Sequence, residues 1–315
     1  MKPTPHALIG VIALVLPTLA AAQDTVQPGE DARKGAAQAE QAGDPIEPHY
    51  NAFDAPTTLV VVGKRLLKEE EPIGDYKQPR WTARRRFPTT RVYVRPEGQF
   101  AFEYWLRATS DLGHFSRADA KKYRSIYEFE LGLGHRLQLD LYLVYEQKGH
   151  EAIELHKESI ELRYALADWG EIWGNPTLYV EYGRHGGEDQ FLEGKLLLGG
   201  ELLAGLHGGL NLVLESLLSG AETHEYKLTA GISKTIVDTQ FSIGAEAEIE
   251  YVDEKGSRFD FLEKKYIAGP SISWQPQKSM HILLTPLFGV AQEKTDDGEE
   301  STPIWENWLV VGWSY

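Results

Sequence analysis

Cysteine is missing from all 315 residues. Its absence excludes a disulfide framework, a thiol nucleophile and a thiolate metal site. No run comes near the ~18 uncharged apolar residues that a helical membrane span needs. Positive charge is scarce as well: 32 Lys and Arg against 47 Asp and Glu leave a formal net charge of -15. Such a chain repels a phosphate backbone, so nucleic acid is not an expected partner. The ten histidines are scattered without metal-ligand spacing, and there is no glycine-rich phosphate loop. No cofactor, metal centre or catalytic constellation is expected.

What is present begins with a processing pattern. Lys2 gives a short positive start, Ala7 to Ala20 is apolar, and Ala20-Ala21-Ala22 precedes Gln23. Residues 1–22 read as a cleavable secretory signal. Gln23 to Pro56 is rich in Ala, Gln, Glu, Asp, Gly and Pro, and holds too little apolar surface to order itself. It is expected to be a flexible periplasmic leader.

Residues 57–96 differ. Leu59-Val-Val-Val62-Gly63 is β-prone and runs into Lys64-Arg65. An acidic cluster, Glu69-Glu70-Glu71, comes next, followed by Arg80-Trp81 and Arg84-Arg85-Arg86. The stretch Leu59 to Arg65 resembles the opening of the plug domain in TonB-dependent receptors. The expectation is a solvated periplasmic segment with one edge strand. The alternative docks Arg84, Arg85 and Arg86 into an acidic lumen as a partial plug.

From Gln99 onward apolar residues recur with period two. Phe100, Phe102, Tyr104 and Leu106 alternate with Ala101, Glu103, Trp105 and Arg107. Leu137, Leu139, Leu141 and Leu143 alternate with Gln138, Asp140 and Tyr142, after a tight turn at Gly134-His135-Arg136. Twelve such segments can be counted, the last being Ile304 to Tyr315. The expected fold is all-β: a single antiparallel transmembrane β-barrel of about twelve strands over 97–315, behind a flexible N-terminal periplasmic segment. Ser110–Lys122, Asp253–Glu263 and Gln292–Pro303 read as long polar outer loops. Ala167 to Asn175 is a long loop at the opposite end, where Trp169 and Trp173 suit an aromatic girdle. A soluble β-sandwich would explain neither ten-residue strands nor the terminal aromatics.

The terminal strand puts Leu309, Val311, Trp313 and Tyr315 on one face. It resembles the last strand of bacterial outer-membrane barrels, and Trp313 and Tyr315 are expected to carry the insertion signal. That resemblance implies partners: the barrel-insertion machinery, outer-membrane lipid and lipopolysaccharide. A periplasmic protein held through residues 23–96 is a further expected partner.

If the Leu-rich face meets lipid, the other face lines the lumen. It carries Glu103, Arg107, Arg124, Glu128, Glu130, Asp140, Glu161, Arg163, Glu181, Glu193, Lys195, Glu215, Lys227, Glu246, Glu248 and Glu250, eleven acids against five bases. Two readings follow. The charges pair into a network that fills a small barrel, or they line a water-filled path whose negative field favours cations. Pro270 and Pro286 break the pattern, since a barrel strand should donate every backbone N–H. With a turn near Gln277-Lys278 they come nearly opposite each other, a local fault in the wall that is either a bulge or a lateral opening.

A lipid-active barrel enzyme would need a neighbouring His and Ser on the outer face. His156 and Ser159 have odd spacing and fall on opposite faces; His207 and Asn211 share an inward face without a serine. Acidic runs at Asp296-Asp297 and Glu299-Glu300 could share divalent cations with lipopolysaccharide phosphates. Glu161-Leu-Arg-Tyr-Ala-Leu-Ala-Asp168 and Leu178-Tyr-Val-Glu-Tyr182 resemble small outer-membrane barrels of the meta-pathway phenol-degradation type. The resemblance implies a role in uptake of small organic molecules. The expected function is a channel or transporter for small solutes. The alternatives are a structural or interaction barrel with a filled lumen and, less favoured, a lipid-active enzyme.

Overall fold

The computed structural model describes residues 67–315 except 92, 116, 118–119, 187–188, 220–222, 255–259 and 296–297. The signal at 1–22, the leader at 23–56, the Leu59 to Arg65 stretch and Asp296-Asp297 lie outside the described residues.

Twelve antiparallel strands close into one barrel. They are β1 (Phe100–Asp111), β2 (Lys121–Gly134), β3 (Leu137–Lys148), β4 (Glu154–Ala165), β5 (Thr177–His185) and β6 (Gln190–Leu203). The second half is β7 (Leu206–Leu217), β8 (Thr223–Val237), β9 (Phe241–Glu254), β10 (Phe261–Gln277), β11 (Met280–Thr295) and β12 (Gly298–Ser314). Each pairs with the next, and β12 returns to β1 through Leu309↔Leu106 and Trp313↔Phe102. Leu141, Leu162, Leu178, Leu192 and Leu212 are exposed outside, while Asp140, Glu161, Arg163, Glu193 and Asn211 are buried inside. An apolar outside around a charged inside is the reverse of a barrel that faces water, and lipid is the solvent it fits.

Two expectations about the strands need correction. Gln292–Thr295 and Gly298–Pro303 are strand, not loop: β11 and β12 run on, pairing Gln292↔Ser301 and Glu293↔Glu300 up to Thr295↔Gly298. The ladder joins backbones, so it continues past the last lipid-facing residue where alternation has faded. The parity argument for His156 and Ser159 also fails. A register shift sets Val144 against Lys157 and Tyr145 against Leu155, and such a bulge resets which face a residue meets. His156 lines the lumen, and Ser159 donates to the lumen carboxylate Glu181 at 2.6 Å.

The segment before β1 is not solvated, contrary to the favoured expectation. Arg84, Arg85 and Arg86 are each 3% exposed. The segment consists of two single 3-10 turns (Lys68–Glu70 and Arg80–Ala83), a hairpin pairing Pro72–Ile73 with Gln78–Pro79, and an extended run to Pro96. It is anchored at the end of the barrel where β1 starts and β12 stops. Lys68 and Glu69 donate backbone N–H to Asp238, and the Trp169 N–H donates to the Tyr76 carbonyl. Trp169 accordingly packs edge-on against Tyr76 and Trp81 and is no girdle residue, whereas Trp173 is exposed. The segment leaves past Gly132, where a Cβ would lie 1.9 Å from the Pro96 carbonyl oxygen.

Candidate functional site

The lumen is the candidate site, and the inward alternation of each strand builds it. All sixteen expected lumen positions are on the inner wall, with Glu215, Lys227 and Glu250 partly exposed there. Glu103, Glu128, Glu130, Asp140, Glu161, Arg163, Glu181, Glu193, Glu246 and Glu248 are buried. Arg107, Arg124 and Lys195 are partly exposed there. The structure sorts them into two levels.

The deep level belongs to the N-terminal segment. Arg85 donates to Glu103 at 2.7 Å and Glu128 at 2.8 Å, and its guanidinium lies 4.1 Å from the Trp105 ring centre. Arg91 makes a two-pronged contact with Glu130, 2.7 Å on each prong, and reaches Glu128 at 3.1 Å. Arg95 donates to Glu130 and meets Glu103 at 3.5 Å. Three carboxylates on β1 and β2 therefore hold three arginines. Burial works to discharge Arg85, Arg91 and Arg95, yet the adjoining carboxylates outweigh it and hold each above the ordinary arginine pKa.

The entry to the plug is less well compensated. Arg84 and Arg86 share the single carboxylate of Glu69, at 3.1 and 2.9 Å. Burial and the neighbouring Arg86 pull Arg84 down to about 9, and burial lowers Arg86 as well. Glu70 and His207 stand 2.7 Å apart, with His207 stacked on Trp81. Farther along the same side, Glu246 of β9 accepts from the N–H groups of Thr89 and Thr90 at 3.1 and 2.7 Å, and Asn211 of β7 donates to the Thr89 carbonyl at 3.0 Å.

The outer level is open. A vestibule of about 460 Å³ narrows into a 140 Å³ throat, where Pro88 and Thr89 of the segment are part of the lining. Arg107, Arg124, Lys157, Lys195 and Lys227 line the vestibule opposite Glu181, Glu193, Glu215 and Glu225. These pair: Lys157 with Glu181 at 2.9 Å, Lys195 with Glu193 at 2.7 Å, Lys227 with Glu225 at 2.6 Å. Of the acid surplus counted on the wall, Glu103, Glu128 and Glu130 are met by plug arginines, Glu181 by Lys157, and Glu248 and Glu250 by Lys265, and the open part is nearly balanced. A negative, cation-favouring field is not what the plugged lumen presents.

Several lumen residues escaped the sequence reading. Glu306 accepts from Arg107 at 2.5 Å, Lys265 bridges Glu248 and Glu250 at 2.7 Å each, and Glu146 accepts from Arg124 at 2.5 Å. The period-two pattern held the signal for Glu306, which shares a face with Trp308 and Val310. A second omission is apolar: Trp105, Ile126, Val144, Ile267, Leu283, Leu287, Ile304, Trp308 and Val310 form one buried cluster on the inner wall. Glu299 of the expected cation run pairs with Lys264 at 2.6 Å.

Trp313 stacks on Phe102 at 6.0 Å, and Tyr315 is exposed beside the closing seam. Pro270 and Pro286 both face outward between β10 and β11. Pairing runs from Glu263↔Glu293 to Ala268↔Phe288, lapses, and resumes at Ile272↔Leu284. The same offset sets the two prolines opposite each other, in the middle of the lapse.

Fold and lumen together define a closed, inside-out β-barrel of outer-membrane type with a chain segment docked inside. No protein-family model matches the chain, and no curated protein matches it. Among solved structures, an outer-membrane channel from Pseudomonas putida F1 aligns with a TM-score of 0.50 at 10% identity, over 73% of this chain and 99% of that one. The NanC porin aligns at 0.46 and 8% identity, over 67% and 98%. The KdgM porin aligns at 0.41 and 12% identity, over 68% and 99%. At 10% identity the likeness to the channel from Pseudomonas putida F1 is one of fold.

Proposed function

We propose that the chain is an outer-membrane channel for small solutes whose periplasmic end is stoppered by its own residues 67–96. The observation that carries this is the open vestibule above a floor of plug residues locked by Arg85, Arg91 and Arg95. A barrel filled only for stability would gain more from apolar packing than from buried ion pairs, because desolvation offsets most of their attraction. Ion pairs suit a stopper that must leave, since its charges and those it uncovers are soluble in a water-filled lumen.

Planar-bilayer recording tests the reading. The full chain should pass little current. Deletion of residues 23–96 should open steady conductance with cation preference, as Glu103, Glu128 and Glu130 lose their arginines. Because the deletion can fail to fold, the full-length double variant Arg91→Gln, Arg95→Gln is measured beside it. Folded barrel is verified for each by heat-modifiable gel mobility. Silence from all three folded proteins would leave the filled structural barrel as the better account.

A lipid-active enzyme gains one contact: Ser216 Oγ lies 2.8 Å from His224 Nδ1. Both share the outward face with Leu212 and Leu214. Among the described residues no hydrogen bond orients the other ring nitrogen, so the pair lacks the third member that a hydrolytic triad uses.

A further inference from the structure

We propose that the lumen binds small zwitterions, molecules with one ammonium and one carboxylate such as an apolar amino acid, on two adjacent rows of side chains along its wall. The proposal rests on the channel reading and names its substrate class.

The first row is set by the strand register. Glu130↔Asp140, Asp140↔Glu161, Glu161↔Glu181, Glu181↔Glu193, Glu193↔Glu215 and Glu215↔Glu225 are directly opposed pairs on β2 to β8. These carboxylates stand side by side on the inner face, one strand spacing of about 4.8 Å apart. Like charges directly opposite each other destabilise a sheet, so stability does not account for the row. Because barrel strands tilt, a row across them descends the wall. It runs from Glu215 and Glu225 in the vestibule to Glu130, which the plug holds with Arg91 and Arg95.

The second row lies two residues away on each strand. Arg163↔Tyr179, Tyr179↔Lys195, Lys195↔Val213 and Val213↔Lys227 are its pairs on β4 to β8. A cation comes at every other strand, with Tyr179 and Val213 between. Each cation meets the carboxylate of its own strand: Arg163 meets Glu161, Lys195 meets Glu193 at 2.7 Å, and Lys227 meets Glu225 at 2.6 Å. Every residue of this row lines the throat. One donor there is spare: Arg163 is 3% exposed, and its Nη1 makes no hydrogen bond among the described residues.

Such pairs discriminate by charge pattern. A lone anion on Lys195 displaces Glu193 and strands it. A lone cation on Glu193 strands Lys195 in the same way, and a stranded charge in an enclosed site is costly. A zwitterion serves both at once, its carboxylate taking the lysine and its ammonium the glutamate. Tyr179 and Val213 meet the apolar remainder. Arg163 with Glu161 and Lys227 with Glu225 offer similar pairs on either side, so the solute passes between like sites along the rows. The 140 Å³ throat sets the size at a small amino acid, not a peptide.

L-Valine is the probe, beside isovalerate, which lacks the ammonium, and isobutylamine, which lacks the carboxylate. Binding to the folded full-length protein in detergent at neutral pH is measured by saturation-transfer NMR. Valine should bind at least about tenfold tighter than either analogue, the factor for one hydrogen bond to a charged group. Two single variants should change this order. Glu193→Gln leaves Lys195 without its carboxylate and should turn the preference to isovalerate. Lys195→Gln leaves Glu193 without its cation and should turn it to isobutylamine. Gel mobility verifies the fold of each, and the native comparison decides alone if a variant does not fold. Valine bound no tighter than its analogues, or folded variants that keep the native order, overturns the proposal. Binding needs no open plug. A plug deletion that conducts in the bilayer while the full chain ignores valine therefore removes the substrate class and leaves the channel.

Discussion

Arg85 shows what one residue does for the plug. It is fully enclosed, bonded to two carboxylates, and laid on Trp105. Arg85→Ala removes the cation and leaves Glu103 and Glu128 buried without it. Breaking a buried pair from one side costs about 3–5 kcal/mol, much of it the stranded charge. That loss falls on plug docking, because the barrel ladder does not involve Arg85. Trypsin should therefore cut residues 67–96 in the variant while the barrel keeps its folded gel mobility. Protection equal to the native protein would show that the other arginines hold the plug unaided. Arg85→Lys should restore only part, since an ammonium cannot span both carboxylates as the forked guanidinium does.

At the scale of the element, the strands and the plug differ in how they can be read. Strands announce themselves: Leu137 to Leu143 against Gln138 to Tyr142 is a period of two, and pairing continued it into β3. Their ends were harder, because Gln292 to Thr295 and Gly298 to Pro303 stay in the ladder after the lipid-facing leucines stop. The plug has no period. Arg84-Arg85-Arg86 looks the same in water as in a lumen, which is why it read as solvated. The signal that could have found it lies on the wall, in eleven acids with five bases to meet them. Buried carboxylates need partners, and Arg84, Arg85, Arg86, Arg91 and Arg95 stood within the one segment next to the barrel. Gly132 gives this element its test. Ala at that position would collide with backbone, the Pro96 carbonyl, which cannot swing aside. Overpacking of this kind costs about 1–3 kcal/mol. Gly132→Ala should expose the plug to trypsin and leave the strands paired; an unchanged digestion pattern would mean that the exit path of the segment shifts freely.

Across the whole molecule, closure depends on β12 meeting β1, and here two roles of the last residues can be separated. Trp313 stacks on Phe102 and pairs across the seam, so its loss weakens the folded barrel directly. Tyr315 is different. Its backbone exchanges both bonds with Phe100, at 2.8 and 3.2 Å, but its ring is 76% exposed. An exposed ring away from packing contributes only a few tenths of a kcal/mol, about the range of ordinary surface substitutions. Tyr315→Ala should therefore refold in detergent with nearly the native melting temperature. If the ring is read by the insertion machinery, the same variant should reach the outer membrane in much smaller amount when made in cells. The comparison separates the two causes: low yield with native stability assigns the ring to recognition, and equal losses in both assign it to the barrel itself. Native yield in cells would remove Tyr315 from the insertion signal and leave Trp313 to carry it.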